Sequence, residues 1–244
     1  MEERLARLRV VLVGTTHPGN IGSAARAMKA MGVEDLVLVA PERFPHADAT
    51  ALASGADDLL ARARVVDDLD AALADCVWVV GTSARLRTHS VPVLGPDAAA
   101  ARAIEHAATG PVALVFGREH SGLTNSELDR CHAFVQIPTV PDFSSLNLAG
   151  SVQVMTYAAR MAALAGASQP ARPAGEERDP PATQAELEGL FAHFEQALTT
   201  IEVLDPENPR HLMRRLRHLY LRAGLSASEV RMLRGILTHT ERGR

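Results

Sequence analysis

Asn20, Arg26, Glu119, Ser145 and Asn147 are the residues of this 244-residue chain whose types and spacing can do chemistry together. An apolar run ending at Phe116 opens into Gly117-Arg118-Glu119. A second, Ala133 to Ile137, opens into a loop that finishes Ser144-Ser145-Leu146-Asn147, and an earlier run is followed by Thr82-Ser83-Ala84. Loops leaving the carboxyl ends of strands are where α/β proteins bind ligands, so three such loops can converge on one small molecule. Each residue taken singly has a plainer reading: Asn147 starts a long helix, and Gly117, Gly122 and Ser145 are ordinary turn residues. A guanidinium adds a different capacity. Arg26 lies nearly two turns into the first long helix, beside Ala24, Ala25 and Ala27, whose small side chains leave room for close approach. Lys29 shares its face. A plain surface arginine is the alternative reading. Asn20, at the mouth of that helix, is either an N-cap or a hydrogen-bonding partner for such a group.

The glycines at 14, 19 and 22 invite a nucleotide-loop reading that their neighbours exclude. A P-loop needs Lys followed by Ser or Thr after its second glycine, to reach phosphate and magnesium; Asn20 and Ile21 stand there. The spacing G-x4-G-x2-G also differs from the dinucleotide fingerprint G-x-G-x-x-G, although Glu42 could imitate its ribose-binding acid. A nicotinamide-dependent oxidoreductase is disfavoured on that ground.

The elements that must position these residues follow from hydrophobic period. Short Val- and Leu-rich runs alternate with helical patterns. They predict strands near 9–14, 35–40, 63–66, 76–81, 111–116 and 133–137, and helices near 20–32, 48–61, 68–74, 96–108, 124–130 and 146–165. Thr124 and Glu127 stand in a capping-box relation. The alternation means an α/β fold, a parallel sheet with helices on both faces. Residues 166–182, GASQPARPAGEERDPPA, have no periodicity and read as a linker. Helical patterns at 183–204, 208–222 and 226–240 then form a small all-helical appendage. The expected organisation is an α/β domain over 1–165, the linker, and a helical domain over 183–244.

A composition of 47% hydrophobic and 22% charged residues suits a globular chain with a sizeable core. No apolar run reaches the ~18–20 residues of a membrane helix, and MEERLARLR has no signal-peptide core. No membrane association and a cytoplasmic location are expected. Cys76 and Cys131 read as buried small hydrophobes. The ten histidines form no ligand spacing, so no metal is expected. The net charge of −4 is unevenly spread: residues 205–244 carry a balance of +5, leaving −9 elsewhere. Arg210, Arg214, Arg217 and Arg231 on separate turns suit phosphate contacts. A nucleic-acid contact in the tail is therefore expected, the alternative being a solvated face or pairing with the acidic α/β domain.

Taken jointly, Asn20-x-Gly22-x3-Arg26, FGRE-x-x-GL-x-N-x-EL from Phe116, and IP…SSLNLAGSVQV from Ile137 resemble the three motifs of the SPOUT RNA 2′-O-ribose methyltransferases. The resemblance runs from Val10 to about Ala165. GTSARLRT at 81–88, with MRRLRHLYLRA and LRGIL in the tail, is most similar to the branch that methylates cytidine or uridine 32 of the tRNA anticodon loop. It implies a deep trefoil knot over 114–150, an exception to the rule against threaded chains. It also implies S-adenosyl-L-methionine as cofactor, tRNA as substrate, and a homodimer whose site is completed across the interface. On this carry-over Thr82, Ser83, Ala84, Gly117, Ile137, Ser144, Ser145 and Leu146 line the cofactor. Arg26 is catalytic, with Asn20, Glu119, Ser145 and Asn147 orienting the reacting groups. Val152, Met155, Ala159 and Ala163, at helical spacing, are expected at the dimer interface, with core packing inside one chain as the rival. A relative acting on ribosomal RNA and an RNA-binding member without catalysis are the alternatives; the tail argues against the first, intact Arg26, Asn20 and Asn147 against the second.

Overall fold

Val10 and Leu12 face one side of the first strand and Val11 and Val13 the other, and all four are buried. A strand apolar on both faces belongs inside a sheet covered by helices on each side. The computed structural model, which describes residues 2–83, 91–140, 142, 145–167, 179–205, 207 and 211–242, has that arrangement. Its strands are β1 (Leu8–Val13), β2 (Asp35–Val39), β3 (Arg64–Val66), β4 (Trp78–Thr82), β5 (Val93–Leu94), β6 (Val112–Phe116) and β7 (Ala133–Val135). All pair in parallel, in the order β3-β2-β1-β6-β4-β7-β5.

One face is covered by α1 (Glu2–Leu5), α2 (Pro18–Met31), α3 (Ala47–Ala53), α4 (Asp57–Arg62), α6 (Pro96–His106) and α8 (Leu148–Ala167). The other carries α5 (Leu69–Leu73) and α7 (Asn125–Leu128) over Val11, Val37, Val79 and Val115. Gly22 sets how closely α2 meets α3: a Cβ there would lie 2.0 Å from the Ala49 carbonyl oxygen. Arg9 is the exception inside this core. It is 5% exposed, yet its guanidinium reaches Asp35 at 2.6 Å, Asp75 at 2.5 and 3.0 Å, and the Ala72 carbonyl at 2.8 Å. Burial works to lower its pKa, and the hydrogen bonds to Asp75 and Asp35 outweigh this and raise it.

Three expectations are corrected. The helix expected over 48–61 is two helices, because Ser54 and Gly55 take left-handed φ values of 46° and 90° and break the ladder. The two-residue β5 was not foreseen, being too short to show a period. Val152, Met155, Ala159 and Ala163 are 0–3% exposed within the single chain, so core packing explains them. The outward face of α8 is instead Tyr157, Met161 and Leu164, 53%, 37% and 41% exposed. Cys76 and Cys131 are both fully buried.

The tail forms α9 (Gln184–Thr200), α10 (Leu212–Ala223) and α11 (Ala227–Arg242) around its own cluster, including Leu190, Phe191 and Val230. It docks on the α/β layer by backbone bonds from Gln184 to Cys76 (2.8 Å) and Ala185 to Ala74 (3.0 Å). Asp129 receives Arg214 at 2.8 Å and His218 at 3.1 Å. Arg217 pairs with Glu188 and lies over the Phe191 ring at 4.4 Å. Arg214 thus pairs with the α/β domain, as the pairing alternative has it, whereas Arg217 pairs within the tail, with Glu188 of α9. Arg210 falls outside the described residues, while Arg215, Arg222, Arg231, Arg234 and Arg242 are exposed. Arg214→Ala should accordingly cost about 1–2 kcal/mol of stability. Urea unfolding would show it, and an unchanged midpoint would mean that the pair with Asp129 contributes nothing.

Candidate active site

β1 and β6 are hydrogen-bonded neighbours, so the loops leaving their carboxyl ends must meet. They meet at Glu119. Its carboxylate accepts from the Thr16 amide (3.1 Å), the Thr16 hydroxyl (3.2 Å), the His17 amide (3.2 Å) and Asn20 Nδ2 (2.9 Å). Asn20 Oδ1 accepts in turn from Asn147 Nδ2 at 3.0 Å. Asn147 Oδ1 receives the amides of Ala149 (2.9 Å) and Gly150 (3.4 Å), satisfying donors that the first turn of α8 leaves open. One relay of side chains therefore ties α2, the loop after β6 and α8.

Burial pushes the Glu119 carboxyl up, but Asn20 and the amides of Thr16 and His17 outweigh it and hold the group at about 2. At neutral pH Glu119 only accepts, so it orients Asn20 and exchanges no proton. The sign of its contribution to stability follows. A depressed carboxyl stabilises fully above its ordinary 4.5 and loses that effect as pH falls toward about 2. Unfolding midpoints measured from pH 6 to pH 2 should fall more steeply for the native protein than for Glu119→Gln; equal slopes would contradict the assignment.

Beside the relay, at the carboxyl ends of β4, β6 and β7, opens a cavity of about 240 Å³. Thr82, Ser83, Gly117, Ile137, Ser145 and Leu146 line it, with Phe116, Leu128, Val135 and Leu148 supplying further apolar wall. Among the described residues, Arg118 and Glu119 are the charged groups of the lining, beside His120. Ala84 and Ser144 fall outside the described residues. Thr82 Oγ1 donates to the Val115 carbonyl at 3.1 Å, and the Ser83 amide to the Val135 carbonyl at 3.0 Å, which pins the β4 exit to its neighbours. Gly117 has no room for a side chain: a Cβ would lie 2.2 Å from the Gly122 carbonyl carbon and 2.3 Å from the Leu123 nitrogen. That contact closes a tight loop, because Arg118 and Gly122 exchange both backbone bonds (3.2 and 2.9 Å). Arg118 also grips both oxygens of Glu127 (3.0 and 3.1 Å), and Glu127 completes the capping box on Thr124.

Arg26 stands apart. It is exposed on α2, six residues and therefore about 9 Å along the axis from Asn20. Among the described residues it has no hydrogen bond or ion pair, and it does not line the cavity. Its face runs Gly19, Ser23, Arg26 and Ala30, of which Arg26 and Ala30 are exposed and Gly19 and Ser23 half-buried. Sequence reasoning missed Thr16, His17 and the Arg118–Glu127 pair; the capping box at Thr124 was the one local signal of that last contact. Among the described residues no group of His, Cys, Asp and Glu could hold a metal ion, and no helix is long and apolar enough to cross a membrane.

A cavity of this volume, with apolar walls and hydroxyl and charged groups on its lining, fits a small ligand of mixed polarity. Comparison with known proteins points the same way. The SpoU rRNA methylase family model matches residues 7–157, and the model of the tRNA methyltransferase TrmJ C-terminal domain matches residues 185–244. The tRNA (cytidine/uridine/adenosine-2′-O-)-methyltransferase TrmJ of Pseudomonas aeruginosa (strain UCBPP-PA14) is 55% identical over 244 residues, spanning 98% of this chain and 95% of its own. The crystal structure of TrmJ from Z. mobilis ZM4 superposes with a TM-score of 0.83 at 35% identity, covering 96% of this chain and 98% of that one. The SpoU methyltransferase AviRb from Streptomyces viridochromogenes, crystallised in complex with the cofactor AdoMet, shares the fold at 24% identity and a TM-score of 0.52, over 64% of this chain and 60% of its own. The chain belongs to the SpoU methylase family, in the branch of the TrmJ tRNA 2′-O-methyltransferases.

Proposed function

We propose that this protein transfers the methyl group of S-adenosyl-L-methionine to the ribose 2′-hydroxyl of cytidine or uridine at position 32 of the tRNA anticodon loop, as a cytoplasmic homodimer. The observation that carries this reading is the Glu119–Asn20–Asn147 relay, set on the rim of the cavity at the β4, β6 and β7 ends. Residues 1–165 form the catalytic domain, 166–182 the linker and 183–244 the RNA-contacting tail. The stretch 114–150, which carries the loops after β6 and β7, is read as the trefoil knot.

When bound, the cofactor supplies an electrophilic methyl on a sulfonium. Thr82, Ser83, Ala84, Gly117, Ile137, Ser144, Ser145 and Leu146 are the residues that would hold it. Gly117 permits the close approach of the Gly122–Leu123 backbone that shapes this wall. Arginine side chains stay protonated in proteins, so Arg26 acts as a charge clamp and not as a base. It grips the phosphate next to the reacting ribose and stabilises the oxygen as negative charge develops, the proton leaving to solvent. Asn20 and Asn147, held by ionised Glu119, orient the ribose.

Arg26 does not reach the relay within its own chain, which is the reason for the dimer: an arginine from one subunit serves a cavity of the other. The apolar strip Tyr157, Met161 and Leu164 on α8 is the surface that a second copy covers. Met161→Glu should give a folded monomer without methyl transfer. A wild type that sediments as a monomer at micromolar concentration would contradict the arrangement.

The test of the reading itself uses transcripts carrying ribose or 2′-deoxyribose at position 32. Labelled methyl should enter the first and not the second; equal labelling would place the reaction elsewhere. An adenosine-32 transcript extends the comparison, since the Pseudomonas relative's name includes adenosine.

A further inference from the structure

At the opposite end of β4 and β7 from the cofactor cavity, α6 faces the turn between α10 and α11 across a cleft of about 220 Å³. β4 connects the two sites, beginning at Trp78 in the cleft and ending at Thr82 in the cavity, about 13 Å away at strand rise. Arg102 and His106 come from the α/β layer and Tyr220 and Arg222 from the tail, and among the described residues no carboxylate lines the cleft. Both arginines are exposed and have no ion pair among the described residues.

The floor holds a more pointed observation. His132 is 8% exposed, and its Nδ1 accepts the Val79 amide at 3.1 Å. Burial, with a smaller effect from His106, holds the ring neutral by pushing it down to about 3. The ring proton therefore sits on Nε2, a donor with no partner among the described residues, on a side chain that lines the cleft. The walls are fixed: Trp78 stacks on His106 at 5.2 Å and 9°, and Tyr220 on Phe194 at 5.2 Å and 26°. Donors without carboxylates, framed by aromatic faces, select a phosphate with an adjoining base or sugar.

We propose that this seam binds a backbone phosphate of the tRNA, so that the α/β layer and the tail grip the RNA jointly through Arg102 and Arg222. This rests on tRNA being the substrate. The contact positions the RNA without reading its sequence, a task that inward-facing Arg214 and Arg217 do not perform.

The experiment compares full-length wild type, Arg102→Gln, Arg222→Gln, the double variant, and Arg4→Gln as an exposed control on α1. tRNA affinity is measured between 50 and 200 mM salt, with kcat, KM and cofactor affinity. The double variant should lose about five- to tenfold in affinity, with the log–log salt slope flattened by about one unit. KM for tRNA should rise while kcat and cofactor affinity hold, and Arg4→Gln should match the wild type. An unchanged slope in the double variant of an enzyme that does methylate tRNA would overturn the seam site alone. Equal flattening by Arg4→Gln would also overturn it, by showing diffuse charge. Saturable ATP binding lost in the double variant, without a change in slope, would assign the cleft to a free nucleotide and reject the proposal. A wild type that binds S-adenosyl-L-methionine yet neither binds nor methylates tRNA would instead fail the functional reading beneath it.

Discussion

Arg26→Ala should slow methyl transfer a few hundredfold, about 3–4 kcal/mol of lost transition-state stabilisation, while leaving cofactor affinity unchanged. The separation of the two effects follows from position. Arg26 lies on an exposed face of α2, outside the lining of the cavity, so in its proposed role its removal takes away a charge contact to the reacting ribose and its phosphate and leaves the cavity intact. Arg26→Lys should recover little, because a point charge replaces a planar fork. Mixing Arg26→Ala with Gly117→Ala subunits should restore part of the activity, since each heterodimer keeps one intact arginine facing one intact cavity. Near-normal turnover of Arg26→Ala would remove this residue from the reaction.

Gly117→Ala should have the opposite signature, with cofactor binding lost by about a hundredfold or more and the fold weakened by about 1–3 kcal/mol. A methyl group placed 2.2 Å from the Gly122 carbonyl carbon meets backbone on a loop closed by two hydrogen bonds, so relief requires opening the cavity wall. Ser145→Ala, at a lining position on another loop, should cost far less. Calorimetry with S-adenosyl-L-methionine separates the two, and wild-type affinity in Gly117→Ala would refute the placement of the cofactor.

The fold was readable because both faces of its strands are covered: runs such as LRVVLV and VALVF can only lie inside a parallel sheet. Local chemistry was readable for the same kind of reason, as in Thr124 and Glu127, where the cap depends on residues three apart. What escaped was contact between distant segments. Nothing in GTTHPG says that Thr16 and His17 will bind Glu119, since that follows from β1 lying beside β6. The stripe Val152, Met155, Ala159 and Ala163 reported an apolar face correctly and its partner wrongly, because a helical period does not say what covers it. Counting tail arginines likewise gave the sign of the charge and not the carboxylates that Arg214 and Arg217 meet.

The proposed function implies a specific product, a single ribose methyl in tRNA, made without a metal. The most direct measurement incubates the purified protein with labelled S-adenosyl-L-methionine, EDTA, and equal amounts of unmodified tRNA and ribosomal RNA, then maps the label by nuclease digestion. The account predicts label on tRNA alone, at the 2′-oxygen of nucleotide 32. Label on ribosomal RNA, on a base, or only after EDTA is withdrawn would contradict it.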